Sequence, residues 1–303
     1  MTYVAEEIDS QPELWRRAAA QAAEATGALP RPGERVAVVG CGTSWFMAMA
    51  YAALREAAGQ GETDAFAGSE FPATRLAGNR NGSPIDRPYD RIIAITRSGT
   101  TTEVLDILRK AGDRSTVLVG DVDTPAVGLA RDVIALPWAD ERSVVQTRFA
   151  TSALTLLRAS LGEDLAKAAD DAQRALELPL PLDPATIEQV TFVGRGWTNG
   201  LAQEAALKCR EAATFWTEAY PAMDFRHGPI SISTTGRAVW AFGEVPPGLR
   251  EDVEATGATF VHDPAIDPVA HLIVAQRFAV ALAEHKGLNP DTPRHLTRSV
   301  VLS

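Results

Sequence analysis

The chain has 303 residues, 46% apolar and 22% charged, and a formal net charge of −10. This is the composition of a globular protein long enough for two domains, and the acidic balance argues against a nucleic-acid-binding surface. The polar N-terminus, MTYVAEEIDSQPELWRR, does not read as a signal peptide, and no apolar run approaches a membrane span. Cys41 and Cys209 are far apart and lack CxxC spacing, so reduced thiols and a cytoplasmic protein are expected. The histidines form no HExxH and no cluster with cysteine, and no cofactor motif is complete; neither a metal nor a cofactor is expected.

In chain order, a helix is predicted over Gln11–Ala25, closing a helical segment at residues 1–32. The break PRPGER precedes a strand, VAVVG, at Val36–Gly40. A helix follows from Ser44 to Ala58, then a short strand near Asp64–Ala67, a polar loop GNRNGSPIDRPYD, and the strand RIIAIT. EVLDILRKAG reads as a helix stopped by Gly112, STVLVGD and VIALP as strands, and Val145–Leu161 as a long helix. Strands alternating with helices predict an α/β fold with a parallel sheet, and short wholly apolar strands predict burial on both faces.

The pattern then restarts. A helical connector leads to the proline-rich PLPLDPATIE, placing a boundary near residues 178–186. VTFVGRGWTNGLAQEAALKCREAA repeats the order of VAVVGCGTSWFMAMAYAALREAAG: strand, Gly-x-Gly, polar turn, alanine-rich helix. The expectation is two tandem flavodoxin-like or Rossmann-like domains, 33–177 and 187–288, followed by a tail at 289–303. Strands RAVWAFG and ATFVHD and a helix over Val269–Lys286 complete the second domain.

Both Gly-x-Gly turns lack the third glycine of a dinucleotide site, since Trp45 and Asn199 stand there; a tight strand-to-helix turn accounts for them. ITRSGTTTEV is richer. A strand ending in Thr96-Arg97-Ser98-Gly99-Thr100-Thr101 before a helix aims hydroxyls and backbone N–H groups at one spot, where an anion is favoured. One hydroxyl suffices for a helix cap, and this turn carries several. Thr43 and Ser44 follow the first strand and add a second hydroxyl pair at the same sheet edge, where open α/β sheets bind ligands. Downstream, Glu204, Lys208 and Glu211 share one helix face; spacing alone reads as a surface salt-bridge ladder. Phe215, Trp216 and Tyr220 read as core, and His227 lies in a turn before Gly-Pro.

In order along the chain, CGTS, SEF, ITRSGTTTE, ERSVVQTRF, GRGWTNGLAQEAALKCREAA, EAYPAMDFRHGPIS and TPRHLTRSV resemble the isomerase half of glucosamine-6-phosphate synthase, a pair of sugar-isomerase (SIS) domains. The resemblance covers nearly everything from residue 33 onward. It implies a sugar 6-phosphate held by Thr96, Ser98 and Thr101, with Arg97 where the family has a neutral glutamine. Thr43 and Ser44 match hydroxyls near the sugar, and Val144 a backbone contact. Glu211 matches the carboxylate that carries a proton between C1 and C2, with Glu204 and Lys208 supporting its helix. His227 matches a ring-opening histidine that the neighbouring subunit contributes, which implies a homodimer with a shared active site. The chemistry suits these residue types: a carboxylate can take and return one proton, and imidazole titrates near neutrality.

Two departures matter. The chain begins about where the isomerase half would begin, so no glutaminase is expected. The family's imine-forming lysine aligns with Arg298, which stays protonated and is a poor nucleophile. Arg97 and Arg298 together imply a pocket more cationic than the family's, suited to a further anionic group. The reading is a phosphosugar isomerase/deaminase acting on a glucosamine-6-phosphate-like substrate, with a fructosamine-6-phosphate deglycase as the alternative. The rival of another class is a non-catalytic phosphosugar sensor. No nucleic-acid or membrane partner is expected.

Overall fold

The computed structural model describes residues 2–75 and 87–302. The expected polar loop lies outside the described residues, apart from its last four, Arg87–Asp90. Residue contacts divide the chain into two compact units. One comprises Arg17–Asp140, Phe149–Glu163 and Thr297–Ser303; the other comprises Met1–Arg16, Glu141–Arg148 and Asp164–Leu296.

The first unit is built on strands β1 (Val36–Gly40), β2 (Thr63–Ala67), β3 (Arg91–Thr96), β4 (Ser115–Val119) and β5 (Asp132–Ala135). All pairs are parallel, in the order β2-β1-β3-β4-β5. Every residue of β1, β3 and β4 is buried. That is why these strands read as continuous apolar runs, each buried Val or Ile contributing roughly 1.5–3 kcal/mol. Helix α3 (Thr43–Ala57) packs on β1 and β2, and α4 (Thr102–Ala111) turns Val104, Leu105, Ile107 and Leu108 into the core. A short helix, α5 (Pro125–Leu129), packs on α4. The predicted Val145 start of the long helix moves to Arg148, and α6 is Arg148–Ser160.

In the second unit, β6 (Gln189–Gly194), β7 (Thr217–Pro221), β8 (Arg237–Phe242) and β9 (Thr259–Val261) are again all parallel, in the order β7-β6-β8-β9. Helix α8 (Thr198–Ala213) lies on β6 and β7, and α10 (Pro268–His285) packs on α8 and on α7 (Ala166–Glu177). The helix predicted over Gln11–Ala25 is α2 (Gln11–Glu24), and four elements escaped the sequence reading: α1 (Tyr3–Asp9), α5, β7, and α9 (Leu249–Ala255). Strand β7 was hidden because its TEAYP sequence carries a proline and few apolar residues, with one face part-exposed. Of the aromatic trio expected in the core, Phe215 is buried, Tyr220 is partly so, and Trp216 is 51% exposed with Arg237 over its ring.

Both Gly-x-Gly turns meet a steric need. A Cβ on Gly40 would lie 2.5 Å from the Ser44 carbonyl carbon, and one on Gly194 would lie 2.3 Å from the Thr198 oxygen. The helix backbone therefore approaches the strand end closely in each sheet, which only glycine permits.

Candidate functional site

In the first unit the strand order reverses between β1 and β3, the place where open α/β sheets take ligands. The two hydroxyl-bearing turns both leave the sheet there. After β1, Thr43 and Ser44 lie buried in the first turn of α3. After β3, Thr96, Arg97 and Ser98 are buried, while Thr100 and Thr101 are part-exposed. Gly99 adopts φ +61°, and a Cβ there would meet Thr124 Oγ1 at 2.0 Å, so the turn closes only on glycine. Thr96 Oγ1 accepts the Gly99 N–H at 3.2 Å and thereby braces the turn. Thr101 occupies the N-cap of α4, yet its side chain makes no capping hydrogen bond. The cap reading therefore does not account for the Thr101 hydroxyl.

The tail closes on this turn within the same unit. Val300 O accepts the Thr102 N–H at 3.3 Å, and Leu302 N–H donates to Thr102 Oγ1 at 2.9 Å. Thr100 Oγ1 lies 3.1 Å from Ser98 Oγ and 2.9 Å from Ser299 Oγ. The Arg97 guanidinium donates to the Arg298 carbonyl at 3.0 Å. Arg298 itself grips Asp140 with contacts of 2.6 and 2.7 Å, and Asp121 stands 3.9 Å away. The cationic surplus expected from Arg97 and Arg298 is therefore offset at Arg298, whose charge is matched by Asp140. Sequence reasoning missed Asp140, because nothing in ADERS marks an acid that faces a residue 158 positions later.

In the second unit the Glu204–Lys208–Glu211 face of α8 is turned inward. The expected surface ladder is instead a buried cluster: Lys208 and Glu204 are each 1% exposed and Glu211 is 19% exposed. Lys208 Nζ lies 2.6 Å from Glu211 Oε2 and 3.4 Å from Glu204 Oε1. Burial pulls the Lys208 ammonium down, but Glu204, Glu211 and Glu141 together more than offset this and hold it above its ordinary value. Lys208 is thus a fixed cation and no amine nucleophile at neutral pH. Periodicity placed the three residues on one face but could not say that the face is buried.

Two further carboxylates of this unit order the segment around Val144. Glu141 is buried and accepts from Thr147 Oγ1 at 2.9 Å and from the Arg148 N–H at 2.9 Å, at the start of α6. Glu7 on α1 is buried too; it accepts the Arg142 N–H at 2.6 Å and the Ser143 hydroxyl. The Val144 N–H donates to Asp291 O at 3.2 Å. His227 ends a short 3₁₀ turn, followed by Gly228 at φ 142°. Its imidazole is exposed and makes no hydrogen bond or ion pair among the described residues. Among those residues, no group of three or more His, Cys, Asp or Glu side chains forms a potential metal site. No helix among them is long and apolar enough to cross a membrane.

No protein-family model matches the chain. It is similar to glutamine–fructose-6-phosphate aminotransferases. That of Methanothermobacter thermautotrophicus is 27% identical over 350 residues, covering 99% of this chain and 57% of the relative. That of Pyrobaculum aerophilum is 29% identical over 268 residues, covering 70% and 44%. The chain spans about half the length of the curated relatives it matches. Among solved structures, a glucosamine-6-phosphate deaminase from Thermotoga maritima superposes with a TM-score of 0.79 at 23% identity, covering 99% of this chain and 100% of that one. With these likenesses beside the doubly wound sheets and the hydroxyl turn, the chain's relatives are the isomerase part of these aminotransferases, and its fold is that of the sugar-isomerase (SIS) phosphosugar isomerases. The C-terminal domain of the Francisella tularensis enzyme has the same fold, with a TM-score of 0.76 at 22% identity over 97% of this chain and 98% of that one.

Proposed function

We propose that this protein is a phosphosugar isomerase/deaminase acting on an amino-sugar 6-phosphate, with Glu211 moving a proton between C1 and C2. The Lys208–Glu211 ion pair, 2.6 Å long and mostly buried, carries the reading. A carboxylate held in one orientation on a rigid helix can take a proton from one carbon and return it to its neighbour. Thr96, Ser98 and Thr101, with Thr43 and Ser44, are the proposed phosphate and sugar anchors. Binding energy gathered at a remote phosphate serves to orient the reacting carbons. The exposed, unpaired imidazole of His227 is consistent with service to a second copy of the chain, in a cytoplasmic homodimer.

The choice of an amino sugar rests on the names of the relatives and on Arg298. With glucosamine 6-phosphate in its open form, Glu211 removes the C2 proton and returns it to C1, while an amine proton passes to O1. The product is a C2 imine, which water hydrolyses to fructose 6-phosphate and ammonia. The substrate brings its own nitrogen, so no enzyme lysine is needed. Arg298 is committed to Asp140, and Lys208 is held as a cation. The same logic admits a fructosamine 6-phosphate, releasing a hexose 6-phosphate and a free amine.

The test is a substrate panel of glucosamine 6-phosphate and fructosamine 6-phosphates, with ammonia, free amine and hexose 6-phosphate measured. Turnover that vanishes in Glu211→Gln while phosphosugar binding persists is the expected result. Tight binding without any product would leave a phosphosugar sensor instead, and full activity in Glu211→Gln would remove the proposed base.

A further inference from the structure

The N-terminal helix α1 belongs to the same unit as Glu211 and is tied to one short stretch beside it, residues 142–144. At the start of α1, the Asp291 carboxylate accepts the N–H groups of Tyr3 and Val4 at 2.9 and 2.8 Å. The carbonyl of the same Asp291 accepts the Val144 N–H at 3.2 Å. The Arg142 guanidinium lies over the Tyr3 ring, 5.4 Å from its centre. Further along α1, Glu7 accepts the Arg142 N–H at 2.6 Å, the Ser143 N–H at 3.3 Å and the Ser143 hydroxyl. Helix α1 also packs on α10, which packs on α8, the helix of Glu204, Lys208 and Glu211.

Glu7 is the unusual group. It is 3% exposed, and no cation pairs with it among the described residues. Burying a lone carboxylate is costly unless its oxygens are hydrogen-bonded. Here every partner comes from Arg142 and Ser143, which lie outside any helix or strand that could satisfy their N–H groups. Glu7 therefore fixes where this stretch runs. The residue before it, Glu141, is buried, and its negative charge acts on the Lys208 ammonium. Lys208 Nζ in turn lies 2.6 Å from Glu211 Oε2. A shift of Arg142 moves its chain neighbour Glu141, and with it a charge that Lys208 feels.

We propose that Glu7 is a positioning residue for the proton-transfer carboxylate: it fixes the Glu141–Val144 stretch and, through it, the Lys208–Glu211 pair. The inference rests on reading Glu211 as the base. What matters is the place of the Glu7 oxygens, not their charge. Glutamine can keep every contact. Its amide oxygen accepts the two N–H groups, and its NH₂ donates to Ser143 Oγ, whose proton turns to the Val145 carbonyl at 2.7 Å. Aspartate keeps the charge but draws the oxygens back by about 1.5 Å, one C–C bond.

Glu7→Asp and Glu7→Gln, made in the full chain, separate position from charge. The protein has four lysines, so the Lys208 ammonium can be followed by ¹⁵N-lysine NMR without substrate, as the resonance that vanishes in Lys208→Met. Glu7→Asp is expected to shift that resonance, and Glu7→Gln to leave it in place. With a phosphosugar that is turned over, Glu7→Asp should lower kcat by about tenfold to a hundredfold with little change in KM, the scale of a small misplacement of catalytic groups. Glu7→Gln should keep kcat within about twofold of wild type, by the same reasoning. A role confined to folding would lower Tm in Glu7→Asp while the resonance and kcat stay put, and that result would overturn the proposal. So would equal losses in both variants, which would put charge before position. Full activity in Glu211→Gln would bring down the base reading alone; the Lys208 resonance judges Glu7 either way.

Discussion

Replacing Lys208 by methionine tests the buried cluster on α8. The substitution keeps the length of the side chain and removes one charge. Glu204, 1% exposed, then loses the ammonium that stood 3.4 Å from it. Glu211, at 19% exposure, can still reach water. Breaking a buried pair from one side costs about 3–5 kcal/mol, far above the worth of a surface pair. In a domain of this size each kcal/mol moves Tm by roughly 2–4 °C, so calorimetry should register a fall of about 6–20 °C. The double variant Glu204→Gln/Lys208→Met removes that buried negative charge as well and should recover a clear part of the loss. The folded-state pKa of Lys208 is raised, so its contribution is fully present below the unfolded value of 10.5. It is lost only as pH rises through the higher folded value, and the wild-type cluster should therefore not weaken across neutral pH. A loss below about 1 kcal/mol, or a double variant no better than the single one, would refute the cluster as described.

Gly99→Ala should cost about 1–3 kcal/mol in denaturant unfolding, because alanine must adopt φ +61° with its Cβ on Thr124 Oγ1. Ser98→Ala and Thr101→Val, made separately, are each expected to raise the KM for a phosphosugar by roughly tenfold or more, with kcat less affected; unchanged KM values would exclude these hydroxyls as anchors. His271 has a depressed pKa, so its contribution is full above the ordinary value of 6.5 and is lost as pH falls towards about 4. A shift of that size corresponds to about 3 kcal/mol. His271→Gln keeps an acceptor for the Trp240 indole N–H, which donates to His271 Nε2 at 3.0 Å, and should show a shallower loss of Tm than wild type over that window; parallel curves would count against a neutral buried imidazole.

The buried strands and the Gly-x-Gly turns were legible because their signals are local. VAVVG and RIIAIT are apolar at every or nearly every position, and a strand buried on both faces needs nothing else. The hydroxyl turn was legible for the same reason: Thr96 to Thr101 are neighbours in the chain, and the strand before them and helix after them fix where they face. Less was visible where a partner lies far away. Asp140 faces Arg298, Glu7 holds the Arg142–Ser143 backbone, and no local pattern announces either contact.

By itself, the sequence determined that this is a parallel α/β chain with a hydroxyl-lined turn after its third strand, and that Glu204, Lys208 and Glu211 share one helix face. The order of residues sets strand burial, turn geometry and helical periodicity, all of which act over a few positions. Tertiary structure alone decided that this helix face points inward, that Arg298 spends its charge on Asp140, that Trp216 stays outside, and that Glu7 of the N-terminal helix is buried against residues 142–143. Each of those outcomes depends on which distant segment excludes water from a side chain, and desolvation is a property of the packed molecule rather than of any stretch of its sequence.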